Sequence, residues 1–135
     1  MFLRAMVREN DGGLPRIMRA GDGFIGNPRV TAQATDSNQT ITLDAIMGGV
    51  YQRTGQTADR TDTTPTAAAI LAANPSMDIG DAFMFCVSNI DASHAVILAG
   101  GTGVTASGNL TTLLATARFF LLTKTSATTM TLVGL

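Results

Sequence analysis

The chain has 135 residues, of which 45% are hydrophobic and only 14% charged, and its net charge is −1. That length supports one domain with a short extension, and the charge balance excludes a global basic field that would draw in nucleic acid. A single cysteine, Cys86, excludes an internal disulfide framework and a cysteine-rich metal site.

Residues 1–28 read as an irregular N-terminal arm, broken by Gly12-Gly13, Pro15, Gly21, Gly23, Gly26 and Pro28. Charge is unevenly spread along the chain. Residues 1–29 carry Arg4, Arg8, Arg16, Arg19 and Arg29 against Glu9, Asp11 and Asp22, a balance of +2 that leaves −3 for the remainder. Phe2, Leu3, Met6, Val7, Leu14, Ile17, Met18, Phe24 and Ile25 interleave with those charges. Disordered tails seldom hold so much apolar material, so the arm is expected to dock on an acidic protein surface. Met1-Phe2-Leu3-Arg4 lacks the apolar run of a secretory signal, and no stretch approaches about 18 uncharged apolar residues, so neither signal-led export nor a membrane span is expected. Gly21 to Gly26 spells G-x-G-x-x-G, but Asn27-Pro28 and a β-like run follow instead of a helix, and the match reads as coincidence.

From Arg29 onward the pattern turns to short strands. Arg29–Thr35 alternates Val30, Ala32 and Ala34 with polar residues, and Gln39–Ile46 reads as a second strand with Ile41 and Leu43 on one face. Gly48-Gly49 closes it, and Val50 to Arg53 begins a loop rich in Thr, Asp and Arg. Thr64 stands as an N-cap with Pro65 at the first helical position, Thr66–Ala73 is a run of helix formers, and Asn74-Pro75 ends it. Further strands are expected near Ala82–Asn89, His94–Ala99, Gly103–Ser107, Ala117–Lys124 and Thr128–Val133, with Gly100 to Gly103 and Gly108-Asn109 as tight connections. Thr and Ala together make 39 of the 135 residues, which favours strands and small-residue packing over a bundle. The expected fold is mainly β: an antiparallel β-sandwich of jelly-roll type over residues 29–135, with one short helix.

Arg60–Ala67 (R-T-D-T-T-P-T-A), Gly80–Phe85 (G-D-A-F-M-F) and Gly101–Thr105 (G-T-G-V-T) carry a resemblance. With the basic-aromatic strand at Arg118 and the terminal T-x-T-L strand, the region from about Thr40 to Leu135 resembles a β-sandwich domain of tailed-bacteriophage virion proteins. That group includes capsid decoration (cement) proteins, head fibres and tail-fibre modules. The resemblance implies a structural virion protein on the capsid surface, assembled in the host cytoplasm, with the major capsid protein as partner. A receptor- or glycan-binding fibre module is the alternative. This chain has no repeats or heptads from which to build a fibre shaft, which favours the decoration reading.

Two strands depart from such domains by being apolar on both faces. Phe83, Phe85 and Val87 are read as inward on one strand, and Phe119 and Leu121 on the other. Met84, Cys86, Phe120 and Leu122 are then left outward, and a second subunit is expected to cover them in a homotrimer. Shell contacts fall to the arm, through Phe2, Leu3, Arg4, Met6, Arg8, Arg16, Arg19 and Phe24.

Catalytic chemistry is poorly supplied. His94 is the only histidine, and Ser93 beside it points to the opposite face of any strand. One Cys and one His do not make a zinc site, and Asp36, Asp44, Asp59 and Asp62 lack calcium-loop spacing and read as solvated carboxylates. No catalytic, cofactor or metal site is expected. With Tyr51 alone and no Trp there is no base-stacking face either.

Overall fold

A computed structural model of the chain describes residues 27–135. The fold is mainly β and builds a two-sheet sandwich with two short helices. β1 (Arg29–Gln33), α1 (Leu43–Gly48), β2 (Gly49–Arg53), β3 (Arg60–Thr63) and α2 (Ala67–Ala73) form the first half. β4 (Ala82–Asn89), β5 (Val96–Ala99), β6 (Val104–Gly108), β7 (Thr111–Thr112), β8 (Thr116–Lys124) and β9 (Met130–Gly134) complete it. The larger sheet runs β1-β2-β4-β8-β9-β6, and the smaller runs β3-β5-β7.

The pairing is mixed and not purely antiparallel. β4 and β9 flank β8 antiparallel, but β1·β2, β2·β4, β6·β9 and β3·β5 are parallel. Parallel neighbours need long crossovers, and those crossovers build the second layer. The chain between β2 and β4 supplies β3 and α2, and the chain between β6 and β9 supplies β7 on its way to β8. The expected β-sandwich is present, with mixed pairing in place of purely antiparallel pairing and a second short helix.

Three local readings also change. Gln39–Ile46, expected as a strand, holds helix α1, whose N-cap Thr42 accepts from Ala45 N and whose C-cap Gly49 sits at φ 102°. The short run satisfies a strand's alternation and a helix's caps at once, and the caps win. The expected loop after Val50 is strand β2. For α2 the N-cap is Thr66, which accepts from Ala69 N at 3.1 Å, and not Thr64.

Thr64 has another task. Its hydroxyl accepts from Gly101 N at 2.9 Å, and Ala67 N donates to Thr102 O at 2.9 Å. The Arg60–Ala67 and Gly101–Thr105 segments that stood out in the sequence are therefore packed on each other. A Cβ on Gly101 would lie 2.5 Å from Thr64 O and 2.7 Å from Pro65 O, so only glycine fits that approach.

The core lies between the sheets. Tyr51, Phe85, Val87, Phe120, Leu122 and Leu132 line the larger sheet's inner face, and Val96 and Leu98 of β5 oppose them with Ile41, Ile46 and Ile70. Phe85 and Phe120 stack across the β4–β8 pair with centroids 5.6 Å apart.

Candidate functional site

β8 is turned over relative to the sequence reading. Phe120 and Leu122, expected outward, have no exposure and belong to the core, whereas Phe119 and Leu121 take the outward positions. Phe119-Phe120-Leu121-Leu122 is apolar at every position, so period-two alternation cannot set its phase. Register sets it instead: Phe120 pairs with inward Phe85, and Phe119 with outward Cys86. The proposed interface of Met84, Cys86, Phe120 and Leu122 is thereby corrected. Met84 and Cys86 do lie on the outer face, beside Leu121 and Phe119.

That outer face can be laid out in rows. Val30, Val50, Cys86 and Phe119 align across β1, β2, β4 and β8, and Leu135 N donates to Phe119 O at the far end. Met84, Leu121, Val133 and Ser107 form the row on one side, followed by Ala82, Thr123, Thr131 and Thr105. Ala32, Gln52, Ser88 and Ala117 form the row on the other side. Not one of these positions carries a charged side chain. The two cations of β8 occupy inward-side positions, where Arg118 Nε donates to Thr111 O at 2.8 Å and Lys124 Nζ to Met77 O at 2.7 Å. Burial pushes the Cys86 thiol's pKa up, with a backbone hydrogen bond near Arg118 opposing it. A sheet face turned to water normally carries charged residues among its polar ones, whereas the polar positions of this one are Thr, Ser and Gln alone.

Two charged clusters lie elsewhere on the fold. At the seam between the sheets, Arg53 Nε meets Asp62 Oδ2 at 2.7 Å with neither side chain exposed. Tyr51 Oη donates to the same oxygen at 2.8 Å, Gln39 N donates to Asp62 Oδ1 at 2.9 Å, and the guanidinium donates to the carbonyls of Thr35 and Ser37. Burial, and then the Asp62 carboxylate, hold the Tyr51 phenol far above its usual pKa. This clasp joins β2, β3 and the loop after β1, and it is structural. Arg53 falls in an expected loop and Asp62 among the expected solvated carboxylates, and nothing in their spacing along the chain pairs them.

The second place is exposed. Asp36 accepts from the Thr57 hydroxyl at 2.6 Å, from Thr57 N at 2.9 Å and from Arg60 Nη2 at 2.6 Å. Those bonds, the Thr57 hydroxyl first, hold the Asp36 carboxyl well below the usual range. Asp91 is lowered chiefly by the backbone N–H of Ser93, and also faces His94 Nδ1 at 3.3 Å. His94 precedes β5 instead of lying within it. Asp59 accepts from Ala95 N at 2.8 Å, so that carboxylate too is tied into the fold.

Among the described residues no group of three or more His, Cys, Asp or Glu could hold a metal ion, and no helix is long and apolar enough to cross a membrane. The arm residues Phe2, Leu3, Arg4, Met6, Arg8, Arg16, Arg19 and Phe24, and the Gly21–Gly26 motif, lie outside the described residues. Compared with family models, curated proteins and solved structures, the chain matches none of them.

Proposed function

We propose that this chain is a structural, protein-binding module, and in its specific form a capsid decoration protein of a tailed bacteriophage. The observation that carries the reading is the outer face of the six-stranded sheet. Across its strands it offers Val, Met, Cys, Phe and Leu with Thr, Ser, Gln and Ala between them, and no charge. Val30 and Phe119 stand exposed on it with Val50, Met84, Leu121 and Val133 half-buried, and covering them with protein is favourable, full burial of a large apolar side chain being worth about 1.5–3 kcal/mol.

The shell partner and the virion location rest on the resemblance carried by Arg60–Ala67, Gly80–Phe85 and Gly101–Thr105. Arg4, Arg8, Arg16 and Arg19 supply planar cations for carboxylates on an acidic shell. The test is sedimentation of particles from the lysate in which the protein is made. The chain is expected to travel with intact heads and to be released by raised salt, leaving shells that fracture more easily. Purified heads that lack the chain would overturn the reading.

A further inference from the structure

At one end of the sandwich β4 finishes at Asn89, and β8 begins at Thr116 opposite it. Three large aliphatic side chains stand in the open there: Ile90 at 52% exposure, Leu113 at 54% and Leu114 at 45%. Turns between strands usually take Gly, Asn, Asp or Ser, which supply the conformations and hydrogen bonds a turn needs. The connection from β7 to β8 instead reads Leu113-Leu114-Ala115, and Ala115 sits at φ 53°, the only non-glycine residue with positive φ among those described. That conformation is strained for any residue with a Cβ and persists only where the surroundings impose it.

The surroundings do impose it. Asn89, at 1% exposure, donates its side-chain amide to the carbonyls of His94, Thr112 and Leu113 at 2.8, 3.2 and 3.1 Å. Thr116 Oγ1 donates to Leu113 O at 2.8 Å, Ala115 N to Asp91 O at 2.8 Å, and Ile90 N to Arg53 O at 3.0 Å. Both chain neighbours of Ile90 are thus bonded to the 112–115 segment, which sets Ile90 alongside the two leucines. Apolar groups already fixed in place lose little further freedom when a partner covers them, so their burial counts almost fully toward binding.

We infer that Ile90, Leu113 and Leu114 form a rigid knob that inserts into an apolar depression, rimmed by Lys or Arg, on a different protein. Shape argues against a second copy. Two projecting ends meeting about a two-fold axis touch only at their summits, and three side chains fall well short of the roughly 800 Å² per partner that a stable dimer needs. Charge argues for a cationic rim. Arg53 and Arg60 are taken by Asp62 and Asp36, so Asp59 and Asp91 leave this end acidic against Arg118. The same carboxylates are repelled by an anionic lipid surface. The knob lies on connecting segments apart from the sheet's outer face, so the inference stands whether or not the partner is a phage shell.

The test places the photo-cross-linker p-benzoylphenylalanine at Leu114 of the 135-residue chain and irradiates the lysate in which the protein is made. One adduct with one other protein is expected, its cross-linked peptide mapping by mass spectrometry to an apolar depression flanked by Lys or Arg. Adding Ile90→Ser and Leu113→Ser is expected to reduce that adduct at least about tenfold, as loss of an anchoring cluster does. The same probe at Ala127, exposed in the β8–β9 turn at the opposite end, is expected to give none of it. Both serines replace exposed side chains, so the urea midpoint is expected to stay where it is. Should they unfold the chain, the site mapped from Leu114 in the otherwise unaltered chain decides alone. An adduct to a second copy, to the same chain or to lipid would overturn the inference. So would an adduct that survives the two serines in a folded chain, or no adduct at all.

Discussion

The seam between the two sheets and the outer face of the larger sheet invert the usual distribution of charge. The seam holds Arg53 and Asp62 with no exposure at all, while the outer face carries no charged residue. The difference teaches that partners, more than depth, decide where a charge can sit. Arg53 finds a carboxylate and two backbone carbonyls, and Asp62 finds a guanidinium, a phenol and a backbone N–H. The outer face offers no such set, and its positions are filled with apolar side chains and uncharged Thr, Ser and Gln.

The sharpest way to break this comparison is to remove one half of the clasp. Asp62→Ala should cost about 3–5 kcal/mol in urea unfolding, because it strands a buried guanidinium. Arg53→Met with Asp62→Leu should recover little of that, since Thr35 O, Ser37 O, Gln39 N and the Tyr51 hydroxyl would all lose partners. A double variant as stable as wild type would show that the clasp is dispensable.

The two faces of β8 come next in size. Leu122→Ala should destabilise by about 2–5 kcal/mol, while Leu121→Ala, at a half-buried outer position, should cost at most half as much. Equal losses would contradict the assigned phase of the strand.

Tyr51 gives the pH dependence. Its pKa in the folded protein is raised above the unfolded value near 10, so the stabilisation is full below about pH 10 and is lost as pH rises through the folded value. Tyr51 is the only tyrosine and there is no Trp, so phenolate absorbance reads it cleanly. The signal should appear only together with alkaline unfolding, and ordinary titration near pH 10 in the folded protein would refute the clasp. The smallest effect is at the helix start: Thr66→Ala should cost about 1 kcal/mol through loss of the α2 cap.

Much of the fold was legible in the residues. β4, β5, β6, β8 and β9 stand close to where alternation and glycine punctuation place them, and α2 follows from the alanine run before Asn74-Pro75, although its cap is Thr66 and not the expected Thr64. What was hidden has physical causes. α1 is too short for periodicity to separate it from a strand, and only its caps at Thr42 and Gly49 mark it. The phase of Phe119 to Leu122 is invisible in an unbroken apolar run and becomes fixed only when Phe120 stacks on Phe85. The Arg53–Asp62 pair depends on β2 and β3 lying in different sheets, which no spacing along the chain reveals. The uncharged outer face was half visible, through Met84 and Cys86, and its full extent needed the pairing of six strands.

The proposed role stands or falls on whether protein covers this outer face. The decisive measurement is methionine oxidation by peroxide in the folded 135-residue chain, followed residue by residue by mass spectrometry. Met84 lies on the outer face and Met130 in the core with 1% exposure, so the two bracket the question within one sample. Met84 is expected to oxidise within a few-fold of Met130. Oxidation of Met84 at the rate of a free methionine while Met130 stays protected would contradict it.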